Sequence, residues 1–209
     1  VNKLIREIAL SKTYRLSSVR GEQREDPENR LLAHMNHRRL DAEAIRDTML
    51  SVSGALDLEM GGATFPANLE KDVDFQFEAP RRSVYVPVFR SSLPELFEVF
   101  DFANTSLVTG RRTLSTVAPQ ALFMMNHPFV RAQAKLTAER LLGDSQPNEA
   151  QRIDHAYLRI LGRHATAKEI ALSQEFLKTV IDSTEKNRVE AWTQMVQSLF
   201  STIDFRYLR

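Results

Sequence analysis

Apolar residues recur at spacings of three and four over most of the chain, the mark of helices that hide one face. From Asn2 to Tyr14 the residues Leu4, Ile5, Ile8 and Ala9 line one side, and Lys3, Arg6, Glu7 and Lys12 stand opposite. This predicts an amphipathic helix whose stripe needs a partner. Gly21 to Pro27 is charged and turn-rich, a surface loop, and Pro27 fits the first turn of a helix carrying Leu31, Leu32 and Met35. Asp41 stands in the capping position of a further helix, with Ala42, Ile45, Met49 and Val52 on one face and Gly54 as its stop.

The period then changes. Gly61-Gly62 and Pro66 read as a loop, after which Val73, Phe75 and Phe77 alternate with Asp72, Asp74, Gln76 and Glu78, a strand with one wet face. Ala79-Pro80 turns the chain into Arg82 to Phe89, whose Val84, Tyr85, Val86 and Val88 suit a strand; the pair allows a small β-hairpin that Pro87 confines to an edge. Pro94 opens a short helix with Leu96, Phe97, Val99 and Phe100, and Asn104 to Ala118 is an aperiodic crossover. Helices follow at Pro119 to Met125, Pro128 to Leu142, Glu149 to Leu161 with Gly162 as stop, Thr166 to Ile181, and Arg188 to Phe200. Thr166-x-x-Glu169 is a capping box. The expected fold is mainly α: a helical bundle with a long irregular middle segment, in a single domain. One lobe, residues 1–126, holds helices, hairpin and long loops; the other, 127–209, is the bundle.

Composition narrows the function classes. A chain of 209 residues with 43% hydrophobic content can bury one substantial core. Lys and Arg number 28 against 27 Asp and Glu, so no broad attraction to nucleic acid is expected. The absence of cysteine excludes disulfides, thiol catalysis, Cys-ligated zinc, iron–sulfur clusters and covalent haem attachment within this chain, and no cofactor is expected in it. No apolar run approaches the roughly 20 residues that span a bilayer, so no membrane insertion is expected. The helical pattern begins at Val1, which points to a boundary inside a larger polypeptide.

Candidate chemistry sits in the polar residues. Arg38, Arg39, Asp41, Glu43, Arg46 and Asp47 surround one helix start, while Arg81, Arg82, Arg90, Arg111 and Arg112 fall in the irregular middle. Arginine forks take carboxylate, phosphate or sulfate side-on, so a cluster of them can receive an anionic substrate. The plainer reading, which we prefer, is that they pair with Asp41, Glu43, Glu95 and Asp101 and tie the long loops to the helices. Gln120 and Asn126 flank a short apolar turn, where amides satisfy loop backbone or, alternatively, hold a hydroxyl-rich ligand such as glycan. The acids Asp57, Glu59, Glu70, Asp72, Asp74 and Glu78 lack the spacing of a calcium loop and read as a solvated face; as paired carboxylates they would suit glycoside hydrolysis. His34 and His37, His127, His155 and His164 form no metal motif, and no metal site is expected.

An ordered set of blocks resembles one family. It runs through Asn29-Arg30-Leu31-Leu32, Asn36-x-Arg38-Arg39-Leu40-Asp41-Ala42-Glu43-Ala44-Ile45-Arg46-Asp47, Arg81-Arg82-Ser83-Val84-Tyr85, Phe100-Asp101, Arg111-Arg112 and Pro119-Gln120-Ala121-Leu122-x-x-x-Asn126. Ala156-Tyr157-x-x-x-Leu161-Gly162-Arg163 to Thr166-x-x-Glu169 completes it. These blocks are similar to a planctomycete cytochrome-associated domain of unknown function, found at the C-terminal end of large exported proteins. Leu4-Ile5-Arg6-Glu7-Ile8 to Ser11-Lys12-Thr13-Tyr14 looks like an internal block, so the chain resembles most of that domain without its start. The resemblance implies an exported, periplasmic or cell-envelope setting and a multidomain parent with, in some members, a cytochrome c-like or carbohydrate-binding domain. It carries no catalytic residues across.

Two function classes stay open. The preferred one is a non-catalytic packing or interaction module that docks to upstream domains of its parent chain, a cytochrome c-like domain among them. The other is an exported hydrolase acting on glycans through Asp, Glu and Arg in a loop-lined cleft. An apolar patch at the first helix favours the former, and a cleft lined by acids favours the latter.

Overall fold

The computed structural model describes residues 1–18, 28–65, 69, 77, 79–89, 92–110, 112, 114–145, 148–180 and 185–208. Among these it is mainly helical, with helices α1 (Asn2–Leu10), α2 (Ala42–Ser53), α3 (Glu95–Val99), α4 (Ala118–Asn126), α5 (Pro128–Gly143), α6 (Glu149–Leu161), α7 (Ala167–Val180), α8 (Glu185–Ser201) and α9 (Ile203–Arg206). One small antiparallel sheet pairs β1 (Arg38–Arg39) with β2 (Tyr207–Leu208). The chain divides into two compact units, 1–40 with 206–209, and 41–205.

The second unit holds the core. Helix α5 carries Val130, Ala134, Ala138 and Leu141 at spacings of three and four, all fully buried, and the two alanines keep that face slim. Its most extensive neighbour is α8, which buries Trp192, Met195, Val196, Leu199 and Phe200. Helix α2 packs on α5 as well, and its Ser53 hydroxyl donates to Gln133 Oε1 at 2.7 Å, a buried bond spanning 80 residues of sequence. Gly54 ends α2 with φ 82°, a left-handed conformation that only glycine enters freely, while Leu50 and Ser51 carbonyls accept from its N–H. The expected cap at the other end differs. Asp41 occupies the capping position of α2, but its side chain makes no capping hydrogen bond.

At the far end, Gly162 ends α6 in the left-handed region, and the capping box forms: Thr166 N–H and hydroxyl both donate to Glu169 Oε2 at 2.8 Å, and Thr166 Oγ1 accepts from Glu169 N–H at 3.3 Å.

Two expected elements are absent. No helix carries Leu31, Leu32 and Met35; the described residues 28–36 form turns and bends organised by Asn29. The Asn29 side chain is buried and donates to the His34 carbonyl at 2.7 Å and to Asn36 Oδ1 at 3.0 Å, and its Oδ1 accepts from His34 N–H at 3.3 Å. With those local bonds the segment satisfies itself without helical pairing. Nor is Arg82 to Phe89 a strand: Ser83–Tyr85 is a single 3-10 turn. The ladder partners are instead Arg38 with Leu208 and Arg39 with Tyr207. The first strand of the expected hairpin lies outside the described residues apart from Phe77.

The first unit is built differently. Helix α1 stops at Ser11, shorter than its sequence pattern, and buries none of its nine residues. Leu40 N–H donates to the Arg206 carbonyl at 2.8 Å, extending the β1–β2 pairing by one rung.

Candidate functional site

Helix α2 places Glu43, Arg46 and Asp47 on its first turns, and each reaches into the irregular middle segment. Arg46 is buried and extends one guanidinium nitrogen to the Arg81 carbonyl at 2.7 Å and the other to the Ala79 carbonyl at 2.9 Å. Asp47 Oδ1 accepts from both the Ser83 N–H at 2.8 Å and the Ser83 hydroxyl at 2.6 Å. Burial pushes the Arg46 guanidinium below its ordinary value, with the adjacent Asp47 carboxylate opposing. A buried arginine satisfied by carbonyls acts as a clamp, because each fork nitrogen fixes one strand of loop.

Arg112 meets Glu43 in a two-bond fork, Nη1 to Oε2 at 2.7 Å and Nη2 to Oε1 at 2.8 Å. Burial tends to raise the Glu43 carboxyl, the Arg112 bonds lower it, and it ends below its ordinary range; Glu43 in turn raises Arg112, with Asp41 adding to the field. The Arg112 guanidinium also lies 4.9 Å over the Phe102 ring.

Further along, Asp101 stands at φ 60° and takes the Ser115 N–H at 2.9 Å and the Ser115 hydroxyl at 2.7 Å. Gln120 is fully buried and donates through Nε2 to the Val99 carbonyl at 3.1 Å and the Ser115 carbonyl at 3.2 Å. Arg81 donates to the carbonyl of Gly61 and stacks 4.1 Å above Tyr85, whose hydroxyl accepts from Gly61 N–H at 2.9 Å; that bond, and then the nearby arginines, lower the Tyr85 hydroxyl. Arg82 reaches the same ring at 5.7 Å.

The structure therefore gathers the sequence candidates into separate bonded groups. Glu43 pairs with Arg112, Arg46 and Asp47 hold the 79–83 loop, Asp101 and Gln120 share Ser115, and Arg81, Arg82 and Tyr85 hold the loop around Gly61. Asn126 is exposed and donates back to the Leu122 carbonyl of its own helix at 3.0 Å. Arg38 and Arg39 form β1 in the first unit. Arg111 and Arg90 lie outside the described residues, as do Glu70, Asp72, Asp74 and Glu78. Asp57 Oδ1 accepts from Glu59 N–H at 2.8 Å, a local turn bond.

One shallow groove of about 490 Å³ opens between α3, α4 and the start of α5. Its polar lining residues are Glu95, Asn126 and His127; of these the sequence marks Asn126 as a candidate, takes Glu95 only as an arginine partner and leaves His127 without a role. His127 precedes Pro128 and accepts from Phe129 N–H through Nδ1 at 3.1 Å, capping α5. That bond leaves Nε2 to carry the proton, 3.3 Å from Glu95 Oε2, while the ring stacks on Phe123 at 4.2 Å. The His-Pro step before an apolar run was the available signal, though histidine is not among the usual capping residues. Among the described residues that line this groove, Glu95 is the one acid. Among the described residues no three His, Asp or Glu side chains gather as a metal site, and no helix is long and apolar enough to cross a membrane.

The chain belongs to the family described as PSD1, a protein of unknown function (DUF1553), whose model matches residues 1–177. That match spans α1 through nearly all of α7, so the clamps on α2 and the capping box of α7 both fall inside it. No curated protein and no solved structure matches the chain.

Proposed function

We propose that the chain is a non-catalytic structural and interaction module of a larger exported protein, docking through α1 onto an apolar surface of another domain of the same polypeptide. The observation that carries this reading is α1 itself, where Leu4, Ile5 and Ile8 share one face and are 61%, 58% and 51% exposed. A stripe of that kind on a surface marks an interaction site. The unit it belongs to fully buries no apolar side chain among its described residues, so the helix has no local core to join.

Area selects the occupant. Nine residues make a helix about 14 Å long and about 10 Å wide, so its face offers on the order of 150 Å². A stable complex between separate chains buries about 800 Å² per partner. A tethered domain holds so small a patch because linkage supplies an effective concentration near the millimolar range. The non-catalytic half of the reading is supported by Glu43, Arg46, Asp47, Asp101 and Arg112, whose side chains bond to loop groups and to each other. The resemblance to exported multidomain proteins supports the setting, with a cytochrome c-like domain as one tethered partner it implies.

The test is the double substitution Ile5→Ser with Ile8→Ser. In the isolated chain the thermal midpoint stays within about 4 °C, because each of the two surface positions changes stability by about 0.5 kcal/mol or less. In the full-length protein the midpoint falls, or limited proteolysis cuts α1. Equal behaviour of variant and wild type in the full-length protein overturns the docking, as does concentration-dependent dimerisation of the chain abolished by the same substitutions.

A further inference from the structure

The groove at α3, α4 and the start of α5 holds a carboxylate that meets no arginine or lysine. Glu43, Asp47, Asp144, Glu169 and Glu190 each stand against an arginine. Glu95 does not: among the described residues its partner is His127, with Nε2 3.3 Å from Oε2, and no Lys or Arg lines the groove beside it. The Glu95 side chain is 66% exposed, so its oxygens are open to whatever enters.

The rest of the groove is mostly apolar. Val99, Pro119, Leu122, Phe123 and Pro128 form its walls, and Leu122 is 57% exposed there. Its volume of about 490 Å³ falls in the range of about 300–1,000 Å³ that small-molecule sites occupy. The side-chain donors are directed elsewhere: His127 Nε2–H onto Glu95, and Asn126 Nδ2 onto the Leu122 carbonyl of its own helix. Pro119 and Pro128 have no N–H to offer. What remains for an incoming group is acceptor oxygen, on the Glu95 carboxylate and the Asn126 amide. An anion would face Glu95 with no cation to offset it. A protonated amine finds a carboxylate for its charge and an apolar wall for its body.

We infer that this groove binds a small organic cation, a protonated amine on an apolar body, with the ammonium on Glu95. A free amine and a lysine side chain share that chemistry. The site lies within the second compact unit and does not depend on the α1 docking reading.

The test titrates benzylammonium chloride into the chain labelled with nitrogen-15 and follows the backbone amides of Phe123, Asn126 and His127. They shift saturably, with a midpoint in the millimolar range, as a shallow site with one solvent-exposed ion pair allows. At matched ionic strength, benzyl alcohol and sodium benzoate keep the ring, lose the positive charge and bind at least about threefold more weakly. Methylammonium chloride keeps the charge, loses the ring and binds at least about tenfold more weakly. Glu95→Gln weakens benzylammonium binding at least about threefold, whereas Glu98→Gln, on the same helix but not lining the groove, leaves it within about 1.5-fold. Because Glu95 is exposed, its replacement leaves the other amide resonances in place, which separates lost binding from lost fold. Nα-acetyl-lysine amide distinguishes the two sources: tighter binding than benzylammonium assigns the groove to a protein side chain, weaker binding to a free amine, and either upholds it. A shift without saturation, equal affinity for the alcohol, benzoate or methylammonium, or unchanged affinity in Glu95→Gln overturns the site.

Discussion

Arg112 and Glu43, 69 residues apart in sequence, face each other in a two-bond fork of 2.7 and 2.8 Å, and this pair ties the aperiodic crossover to the start of α2. Each partner is roughly a third exposed. Its contribution is therefore that of a well-oriented, half-screened ion pair, about 1 kcal/mol. Glu43→Gln keeps one of the two bonds and removes the charge. We expect a loss of about 1 kcal/mol, or about 2–4 °C in thermal midpoint for a chain of this size, read by circular dichroism, with secondary structure intact.

Asp47→Ala is more damaging. It strips the Ser83 N–H and hydroxyl of their acceptor and removes the carboxylate beside the buried Arg46. Leaving a buried cation less compensated costs about 3 kcal/mol. Urea unfolding shows a loss of that size, and Ser83→Ala alone a loss of about 1 kcal/mol.

Acid stability depends on Glu169. The Arg163 fork, bonded at 2.6 and 2.9 Å, outweighs burial and, with the Thr166 bonds, holds its carboxyl at about 2 against an ordinary 4.5. A depressed carboxyl stabilises the fold above its unfolded value and loses that contribution as pH falls from about 4.5 to about 2. A shift of that size corresponds to about 3 kcal/mol at most, and solvent screening reduces it to about 1–2 kcal/mol. Glu169→Gln is expected to unfold more readily at pH 7 and to show a flatter decline in midpoint between pH 5 and pH 2.5. A parallel decline for variant and wild type would contradict the assignment.

Gly54→Ala tests the end of α2. A Cβ there would stand 3.0 Å from Arg140 Nη1 on a backbone of φ 82°. Left-handed strain costs about 1–2 kcal/mol; the Arg140 side chain can swing aside. The expected loss is in that range, and a change below about 0.5 kcal/mol would mean that the turn relaxes freely.

Much of this fold was legible in the chain because periodicity and caps agree. Gly54 and Gly162 end helices where the pattern placed them, and the Thr166–Glu169 box opens α7 as its spacing requires. The errors fell where local side-chain bonds or long-range pairing decide. Asn29 turns Leu31, Leu32 and Met35 out of a helix, and β-type residues at Val84 to Val86 lose to the Asp47–Ser83 clamp, which folds them into a turn. The β1–β2 ladder joins residues separated by nearly the whole chain, a pairing with no local signal. Among the polar candidates, Glu43 with Arg112 was readable as charge pairing. The Arg46 clamp ends on carbonyls, which sequence does not rank, and His127 caps α5 although its residue type is unusual there.

On the docking reading proposed above, α1 is unfinished until another domain of the same polypeptide covers it. Hydrogen–deuterium exchange of residues 2–10 tests this directly. In the isolated chain these amides exchange with protection well below that of α5 and α8, since a nine-residue uncovered helix is marginal in water. In the full-length protein, docking of α1 is expected to slow exchange of the same residues at least tenfold. Equal exchange in both settings would contradict it.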